Sequence, residues 1–362
     1  MRRVAVLGTG LIGGSIGLAL TKSGAHVAGY DADADTLDRA VAIGAVTEAA
    51  ETLDAVLRDV DLAVVALPVG RVADVVIDAL DAGAPVVTDV GSAKSSIVHT
   101  VESARPSLAA RFVGGHPMAG SEQDGLDGAS AELFAGATWV LTPTSSTDPR
   151  AHTAVRALVA SLGAEIVEVA PEHHDALVAI VSHVPQLAAT TLMDVAATSG
   201  EEHATLLRLA AGGFRDMTRI AAGHPGIWPD ICVANRDAIV EALDQYLASL
   251  VQVRELVAGG DGDKLLDVLE RARAARRSLP KGAALEGPLV ELRVPVPDRP
   301  GVLAEITTLA GRLGVNIADL ELAHSMEGDA GVLVMIVAEA GVDTFEHRLQ
   351  EAGYTVSRSS IA

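Results

Sequence analysis

GTGLIGGSIG, at residues 8–17, is the stretch of this sequence that decides the fold. It follows the short apolar run VAVL at 4–7 and opens a segment of helical character. Gly8, Gly10 and Gly13 have the spacing G-x-G-x-x-G. The first glycine allows a tight turn, the second lets the backbone approach a pyrophosphate, and the third lets helix and strand pack closely. The helix start at Leu11 and Ile12 would offer free N–H groups to phosphates. The stretch therefore predicts a dinucleotide-binding turn.

An acidic residue follows at the distance that such a turn requires. The next strand-like run, HVAGY at 26–30, ends in Asp31, eighteen residues after Gly13. A carboxylate there accepts hydrogen bonds from the ribose hydroxyls of the adenosine half. It would also repel a 2′-phosphate, and no arginine follows at once, so the predicted cofactor is NAD rather than NADP. The alternative is an ordinary helix-capping Asp beside a glycine-rich turn.

The first part of the chain, residues 1–170, alternates short Val- and Ala-rich runs with amphipathic stretches. This alternation predicts an α/β domain of the Rossmann type, with a doubly wound parallel sheet. Ligands of such sheets bind beyond the carboxyl ends of the strands. Three loops begin there: ALPVG with Pro68, DVGSAK with Ser92, and GGHPMAGSE with His116. We expect these loops to converge on the nicotinamide end of a bound dinucleotide.

The rest of the chain has two further textures. Residues 171–279 show hardly a strand signal and predict an all-α domain whose apolar helices pack on each other or on a second subunit. Within it, 229–258 is predicted as a helix from Pro229 to the stop at Gly259. Residues 280–287 have the composition of a linker, and 288–362 have the order β-α-β-β-α-β of a ferredoxin-like domain.

Composition excludes several classes of function. Lys and Arg number 27 against 48 Asp and Glu, a net charge of −21 that repels nucleic acid and anionic membranes. The sequence has no uninterrupted run of about 18 apolar residues, so we predict no membrane span. Cys232 is the single cysteine, which excludes an intramolecular disulfide and a thiolate zinc site. We predict a cytoplasmic protein without nucleic-acid or membrane partners.

Two histidines lie where chemistry is expected. A dehydrogenase that oxidises an alcohol needs a group to take the hydroxyl proton, and the neutral imidazole of His116 suits that task near pH 7. The alternative is a loop histidine bonded to backbone. His173 and His174, between Glu172 and Asp175, suggest a metal site. Adjacent residues of a helix point apart, so we predict a solvated helix start there and no metal.

Five segments together resemble the prephenate dehydrogenases, a tyrosine-pathway family that includes arogenate and cyclohexadienyl dehydrogenases. The segments are GLIGGSIG, DVGSAK, GGHPMAGSE, SHVPQ at 182–186 and GGFRDMTRIA at 212–221, and the resemblance covers roughly 1–280. It implies an NAD-dependent oxidoreductase that couples hydride transfer to loss of a ring carboxylate. It further implies that His116 draws off the ring hydroxyl proton and that Ser92 orients the hydroxyl and the nicotinamide.

The same resemblance implies the substrate contacts. Arg219 would hold a substrate carboxylate through its planar fork. The other residues that match polar positions around the pocket are Ser121, Glu122, Ser182 and His183. Ser182 and His183 have the alternative of a helix-buried polar pair bonded to backbone. Many prephenate-using relatives have a histidine where this chain has Gln186, so the choice between prephenate and arogenate stays open.

The tail resembles an ACT domain, a small module that commonly binds amino acids. The matching stretch is VPDRPGVLAEITTLAGRLGVNIADLEL at 296–322. Its first turn contains Asp298, Arg299, Pro300 and Gly301, and its second strand begins at Asn316 and Ile317. The implied effector is tyrosine or phenylalanine; the alternative is a module that only dimerises the chain.

The resemblance implies a homodimeric, NAD-dependent enzyme that converts prephenate to 4-hydroxyphenylpyruvate for tyrosine synthesis. Arogenate dehydrogenase, which makes tyrosine directly, is the alternative. Two weaker alternatives are a catalytically silent NAD-binding amino-acid sensor and a 3-hydroxyacid dehydrogenase of the same architecture.

Overall fold

The computed structural model describes residues 3–121, 123, 125–198, 212–278, 289–297, 299–324 and 330–361. The chain divides into two compact units, Met1–Glu255 and Leu256–Ala362. The division falls inside one long helix, Arg236–Gly259, rather than at residue 279. The predicted linker 280–287 lies outside the described residues, and the predicted domain limits stay a prediction.

The first unit is built on an eight-stranded sheet. Its strands are β1 (Arg3–Leu7), β2 (His26–Tyr30), β3 (Glu48–Ala49), β4 (Leu62–Val65), β5 (Val87–Asp89), β6 (Phe112–Pro117), β7 (Thr138–Thr142) and β8 (Glu165–Glu168). Their order is β3-β2-β1-β4-β5-β6-β7-β8, and β1 to β6 are mutually parallel. This is the doubly wound order, which reverses direction beside β1 and confirms the predicted fold class.

Helices cover both faces of this sheet. They are α1 (Leu11–Lys22), α2 (Ala34–Ala42), α3 (Leu53–Val56), α4 (Val69–Asp81), α5 (Ser95–Ala104) and α6 (Pro149–Ser161). Strand β1 shows why its residues 4–7 are all apolar. Ala5 and Leu7 belong to the core under α4 and α5, whereas Val4 and Val6 belong to the core under α1 and α6. A strand buried on both faces has no polar alternation to show.

One strand pair departs from the purely parallel sheet. Strand β7 runs antiparallel to β6, with His116 opposite Val140. A parallel return needs a crossover of a dozen or more residues, usually a helix. The described residues between β6 and β7 contain only a 3₁₀ turn, Gly125–Gly128, so the chain comes back in the opposite direction.

The remainder of the first unit is helical. Its elements are α7 (Pro171–Val178), a π-helical turn (Ala179–His183), α8 (Val184–Ala197), α9 (Gly212–Thr218), 3₁₀ turns at Arg219–Ala222 and Pro225–Ile227, α10 (Trp228–Ala234) and α11 (Arg236–Gly259). The π turn comes just before Pro185, which has no N–H for the regular helix ladder. The helix predicted over 229–258 is two helices, because Asn235 leaves the helical conformation at φ −116° and ψ 32°.

The stretch Pro171–Ala197 is long and apolar enough, by length and composition alone, to cross a membrane, with a mean hydropathy of 1.5. It nevertheless carries four buried polar side chains: His174, Asp175, His183 and Gln186. Its large exposed apolar residues are Leu177, Ile180, Val181 and Val195. A helix with polar groups on its inner side and an apolar outer side is typical of one that packs on another protein surface.

The second unit contains α12 (Gly262–Arg277) and a four-stranded antiparallel sheet with two helices. These elements are β9 (Leu289–Pro297), α13 (Val302–Arg312), β10 (Ile317–His324), β11 (Ala330–Ala338), α14 (Val342–Glu351) and β12 (Ser357–Ile361). The sheet order is β10-β11-β9-β12, as in a ferredoxin-like fold. Alternate residues of β9, such as Leu292 and Val294, point into a core with Ile306 and Phe345. The predicted β-α-β-β-α-β order is therefore present.

Candidate active site

The glycine turn between β1 and α1 has the geometry that phosphate binding requires. Gly8 has φ +95°, and a Cβ on it would lie 2.3 Å from the carbonyl oxygen of Ala66. A Cβ on Gly13 would lie 1.9 Å from the carbonyl oxygen of Gly8, so only glycine allows this close approach of helix to strand. A Cβ on Gly10 would meet nothing within 4 Å. Gly10 is also the N-cap of α1 and provides no side-chain cap, so the first amides of the helix face open space.

Asp31 lies beside this turn at the end of β2. Its carboxylate accepts hydrogen bonds from the backbone N–H of Thr9 at 2.7 Å and from the Thr9 hydroxyl at 3.0 Å. Its other oxygen accepts from the N–H of Asp33 at 3.0 Å. Asp31 thus fixes the glycine turn. Pro68, also predicted at the cofactor, is the exposed N-cap of α4 on the β4 loop.

His116 lies near the end of β6, half-buried, inside the strand rather than in a loop. Its Nδ1 is 2.9 Å from Nε2 of His174, and the two rings meet edge to face. Nδ1 of His174 is 2.8 Å from Oδ1 of Asp175. Among the described residues, none hydrogen-bonds to Nε2 of His116. Burial, reinforced by the nearby His174 and Lys94, holds the pKa of His116 well below its ordinary value. The ring is therefore neutral near pH 7 and able to accept a proton.

A buried ion pair lies beneath His116. Lys94 is completely buried; its Nζ donates to the carboxylate of Asp89 and, at 2.9 Å, to the carbonyl of Gly115. Asp89 also accepts from the N–H of Gly115 at 3.0 Å and of Gly91 at 2.8 Å. Burial lowers the pKa of Lys94, and Asp89 opposes that change. The pair joins the end of β5 to the residue before His116.

The helical region supplies a second polar group to this neighbourhood. His183, in the π turn, is buried; its Nδ1 lies 3.2 Å from Nδ2 of Asn235, whose amide also donates to the carbonyl of Asp175 at 2.9 Å. The ring of Trp228 meets the His183 ring edge to face, with centroids 6.0 Å apart. Burial lowers the pKa of His183 to about 4. Asn235, at the break between α10 and α11, therefore links these helices to α7 and to the π turn.

Comparison with known proteins assigns this arrangement to a family. Residues 16–168 match the family model "Prephenate dehydrogenase, nucleotide-binding domain", and residues 170–271 match "Prephenate dehydrogenase, dimerization domain". The chain belongs to the prephenate dehydrogenase family. A relative from Bacillus subtilis (strain 168), named prephenate dehydrogenase, is 33% identical over 338 residues, 91% of this chain and 90% of the relative.

Two solved structures are similar to this chain in fold. The Aquifex aeolicus prephenate dehydrogenase, in complex with hydroxyphenyl propionate and NAD⁺, has a TM-score of 0.72 and 29% identity. The match covers 77% of this chain and 99% of that one. The Synechocystis arogenate dehydrogenase has a TM-score of 0.67 and 30% identity, covering 76% of this chain and 99% of that one.

The structure shows that the prediction of a solvated helix start was wrong for His174. It was predicted to lie at a solvated helix start, but its side chain is 1% exposed and lies between His116 and Asp175. Adjacent side chains do point apart; His173 is exposed as expected. The error was to treat both alike, since Pro171 and Val178, at i−3 and i+4 from His174, mark the buried face of α7. Lys94, Asp175 and Asn235 were also missed.

The other predicted substrate residues lie in several places. Ser92 is half-buried in the turn between β5 and α5. Ser182 is half-buried in the π turn, and Gln186 is 8% exposed one turn further along, on α8. Arg219 is exposed at the start of a 3₁₀ turn that packs on α8. Ser121 is exposed, and its hydroxyl accepts from the N–H of Gln123 at 3.0 Å. Glu122 lies outside the described residues.

In the second unit the predicted effector residues Arg299, Pro300 and Gly301 lie at the start of α13. Gly301 is its N-cap with φ +92°, and Arg299 donates to Glu305 at 3.3 Å. The hydroxyl of Tyr354 donates to the same carboxylate at 3.0 Å. A cavity of about 670 Å³ is lined by Glu305, Arg312, Arg348 and Tyr354, among others. Pro300 precedes the helix, and Asn316 and Ile317 lead into β10. Asp298 lies outside the described residues.

Proposed function

We propose that this chain is an NAD-dependent prephenate dehydrogenase, an oxidoreductase that converts prephenate to 4-hydroxyphenylpyruvate and carbon dioxide. The observation that carries the proposal is His116, a neutral imidazole whose Nδ1 is engaged and whose Nε2 has no hydrogen bond to a described residue. It lies at the carboxyl edge of the sheet, the edge that also bears the glycine turn. Three strand spacings separate β1 from β6, on the order of 14 Å, which a dinucleotide lying along the edge would span.

The residues of the glycine turn fit NAD. The open space at Gly10 accommodates a pyrophosphate, the uncapped amides of α1 donate to it, and Asp31 accepts from an adenosine ribose. The negative charge of Asp31 disfavours a 2′-phosphate. NAD, when bound, supplies the acceptor for the hydride.

The chemical step asks little covalent work of the protein. As hydride leaves the hydroxyl-bearing ring carbon, Nε2 of His116 takes the hydroxyl proton. The bond between ring and carboxylate then breaks, carbon dioxide leaves, and its bonding electrons complete the aromatic ring. The ring oxygen takes the proton back and becomes a phenol. His116 thereby holds a proton at one atom while Ser92 orients the hydroxyl.

Arg219 would bind a carboxylate of the substrate. Its guanidinium can form two parallel hydrogen bonds with a carboxylate, a geometry that lysine lacks. Ser121, Glu122, Ser182 and His183 would complete the polar lining.

Arogenate is the second candidate substrate, because Gln186 does not restrict the substrate to prephenate. A glutamine on α8 both donates and accepts hydrogen bonds but carries no charge, so it suits an amino group or a keto group at the side chain. The product would then be tyrosine.

The test is NADH formation with prephenate and, separately, with arogenate, together with release of carbon dioxide. Activity with prephenate supports the proposal, and activity with arogenate alone replaces it by the second candidate. Oxidation without carbon dioxide would indicate a hydroxyacid dehydrogenase. NAD binding without turnover on either substrate would refute both and favour a sensor.

We further infer a cytoplasmic homodimer formed through the helical region. The family model that matches 170–271 is described as a dimerization domain, and apolar residues such as Ile180, Val181 and Val195 lie exposed there. Burying an exposed face of this kind against a second copy is favourable by about 25 cal/mol per Å².

The tail is proposed as an ACT-type regulatory module that binds tyrosine or phenylalanine. Its ferredoxin-like order and the left-handed Gly301 at the start of α13 support this. Removal of residues 288–362 should abolish any effect of either amino acid on NADH formation and leave basal turnover within about threefold. An effect that persists in the shortened chain would place the effector elsewhere.

A further inference from the structure

The buried residues behind His116 form a directed hydrogen-bond chain. It runs from His116 through His174 to Asp175, with donor–acceptor distances of 2.9 and 2.8 Å. His174 and Asp175 are 1% and 4% exposed, so water does not compete for these bonds. Asp175, the last member of this hydrogen-bond chain, determines the direction of both bonds.

Asp175 is fixed as an acceptor. Its two carboxylate oxygens accept the backbone N–H groups of Lys94 and Ser95, both at 2.8 Å, at the start of α5. The positive end of the α5 dipole favours the ionised carboxylate there. A carboxylate that accepts at both oxygens has no proton to offer, so Nδ1 of His174 must carry the proton of the bond between them.

The position of that proton determines the direction of the hydrogen bond between His174 and His116. A neutral His174 with its proton on Nδ1 has a lone pair on Nε2, so Nδ1 of His116 is the donor of the 2.9 Å bond. Nε2 of His116 is then unprotonated and able to accept. The reverse arrangement needs a buried imidazolium at His174, and it would convert Nε2 of His116 into a donor.

We propose that His174 and Asp175 are positioning residues that hold His116 in the tautomer with Nε2 free, and that stabilise the imidazolium formed when it takes the substrate's proton. This inference rests on the proposed function for its kinetic consequence, but not for the tautomer itself. The logic is that of a triad, in which an acid orients the ring that does the chemistry.

Substitutions at His174 separate the two hydrogen bonds. In His174→Asn the amide nitrogen takes the place of Nδ1 and keeps Asp175, but nothing reaches His116. In His174→Gln the amide oxygen takes the place of Nε2 and still accepts from His116. We expect His174→Asn to lower kcat about 10²- to 10³-fold with KM within threefold, and His174→Gln to stay within about tenfold of the parent. The exposed neighbour provides the matched control, His173→Asn, which should be unchanged.

A third variant tests whether His174 acts through His116. In a His116→Gln background, His174→Asn should cause no further loss, because the ring that it orients is gone. A further loss of tenfold or more in that background would overturn the proposal, as would equal damage from the Asn and Gln variants.

The tautomer is measured directly in the unmodified protein, without substrate, by ¹⁵N NMR of the histidine rings. The His116 signals are identified by their absence in His116→Gln. Protonation on Nδ1 with a free Nε2 supports the proposal, and protonation on Nε2 overturns it whatever the variants do. Absence of turnover with prephenate and arogenate would refute the proposed function and leave this measurement intact, so the two failures are distinguishable.

Discussion

Two glycines of the nucleotide turn provide a sharp test, because the same added methyl group has opposite consequences at each. In Gly10→Ala the new Cβ meets no atom within 4 Å, and the backbone at φ −70° and ψ −154° suits alanine. Without NAD, the melting temperature of Gly10→Ala should therefore lie within about 4 °C of that of the parent. The methyl group would occupy the space of the pyrophosphate and displace at least one charged hydrogen bond. Each such bond contributes about 1.5–3 kcal/mol, so Kd for NAD should rise roughly 10- to 150-fold.

In Gly13→Ala the Cβ would lie 1.9 Å from the Gly8 carbonyl oxygen, so backbone must move. Overpacking of this kind costs about 1–3 kcal/mol, which corresponds to a melting temperature lower by roughly 2–12 °C. Differential scanning fluorimetry and isothermal titration calorimetry with NAD measure the two quantities. If Gly10→Ala binds NAD as the parent does, or loses as much stability as Gly13→Ala, the assignment of the turn is refuted.

Three further predictions concern the site. Lys94→Met leaves the buried Asp89 carboxylate without its cation, so the free energy of unfolding should fall by about 3–5 kcal/mol. A melting temperature, measured by calorimetry, that moves by less than about 2 °C would contradict this. Arg219→Ala should raise KM for the substrate about 10- to 100-fold and change kcat less than threefold, whereas Arg215→Ala, an exposed neighbour on α9, should alter neither; steady-state kinetics decides. The pKa of His183 falls from about 6.5 unfolded to about 4 folded, so on acidification the unfolded chain takes up the proton first. The free energy of unfolding, measured in urea, should drop by about 2 kcal/mol more between pH 7 and pH 5 in the parent than in His183→Gln. An equal drop in both proteins would refute the lowered pKa of His183.

The sequence was most informative where local geometry leaves one choice of residue. Gly8 and Gly13 are required by contacts with neighbouring backbone, and Asp31 ends β2 beside the turn, so motif and spacing predicted that region correctly in fold. The β-α-β-β-α-β order of the tail was equally readable, since the inward residues of β9 alternate with exposed ones.

It was least informative where two distant segments meet. The reversal of β7 depends on a connection without a crossover helix, which composition does not reveal. Asn235 lies in a run that predicts an uninterrupted helix, and its departure is stabilised by the carbonyl of Asp175 and the ring of His183, both more than fifty residues away. The burial of His174 depends on contact between α7 and the edge of the sheet. Its one local signal was the buried face shared with Pro171 and Val178.

The charges around His116 have opposing effects that together suit a base. The Lys94 ammonium and burial both disfavour a proton on His116, which keeps the ring neutral before reaction. A cation alone would also penalise the imidazolium formed during the reaction. In the proposed triad Asp175 offsets that penalty, because its carboxylate is hydrogen-bonded to His174, which is hydrogen-bonded in turn to His116. Lys94 and Asp175 are themselves connected, because the backbone N–H of Lys94 donates to the Asp175 carboxylate. One short segment, at the start of α5, therefore fixes both the charge that keeps His116 unprotonated and the charge that stabilises it once protonated. A change in this segment should alter the pKa and the orientation of His116 together.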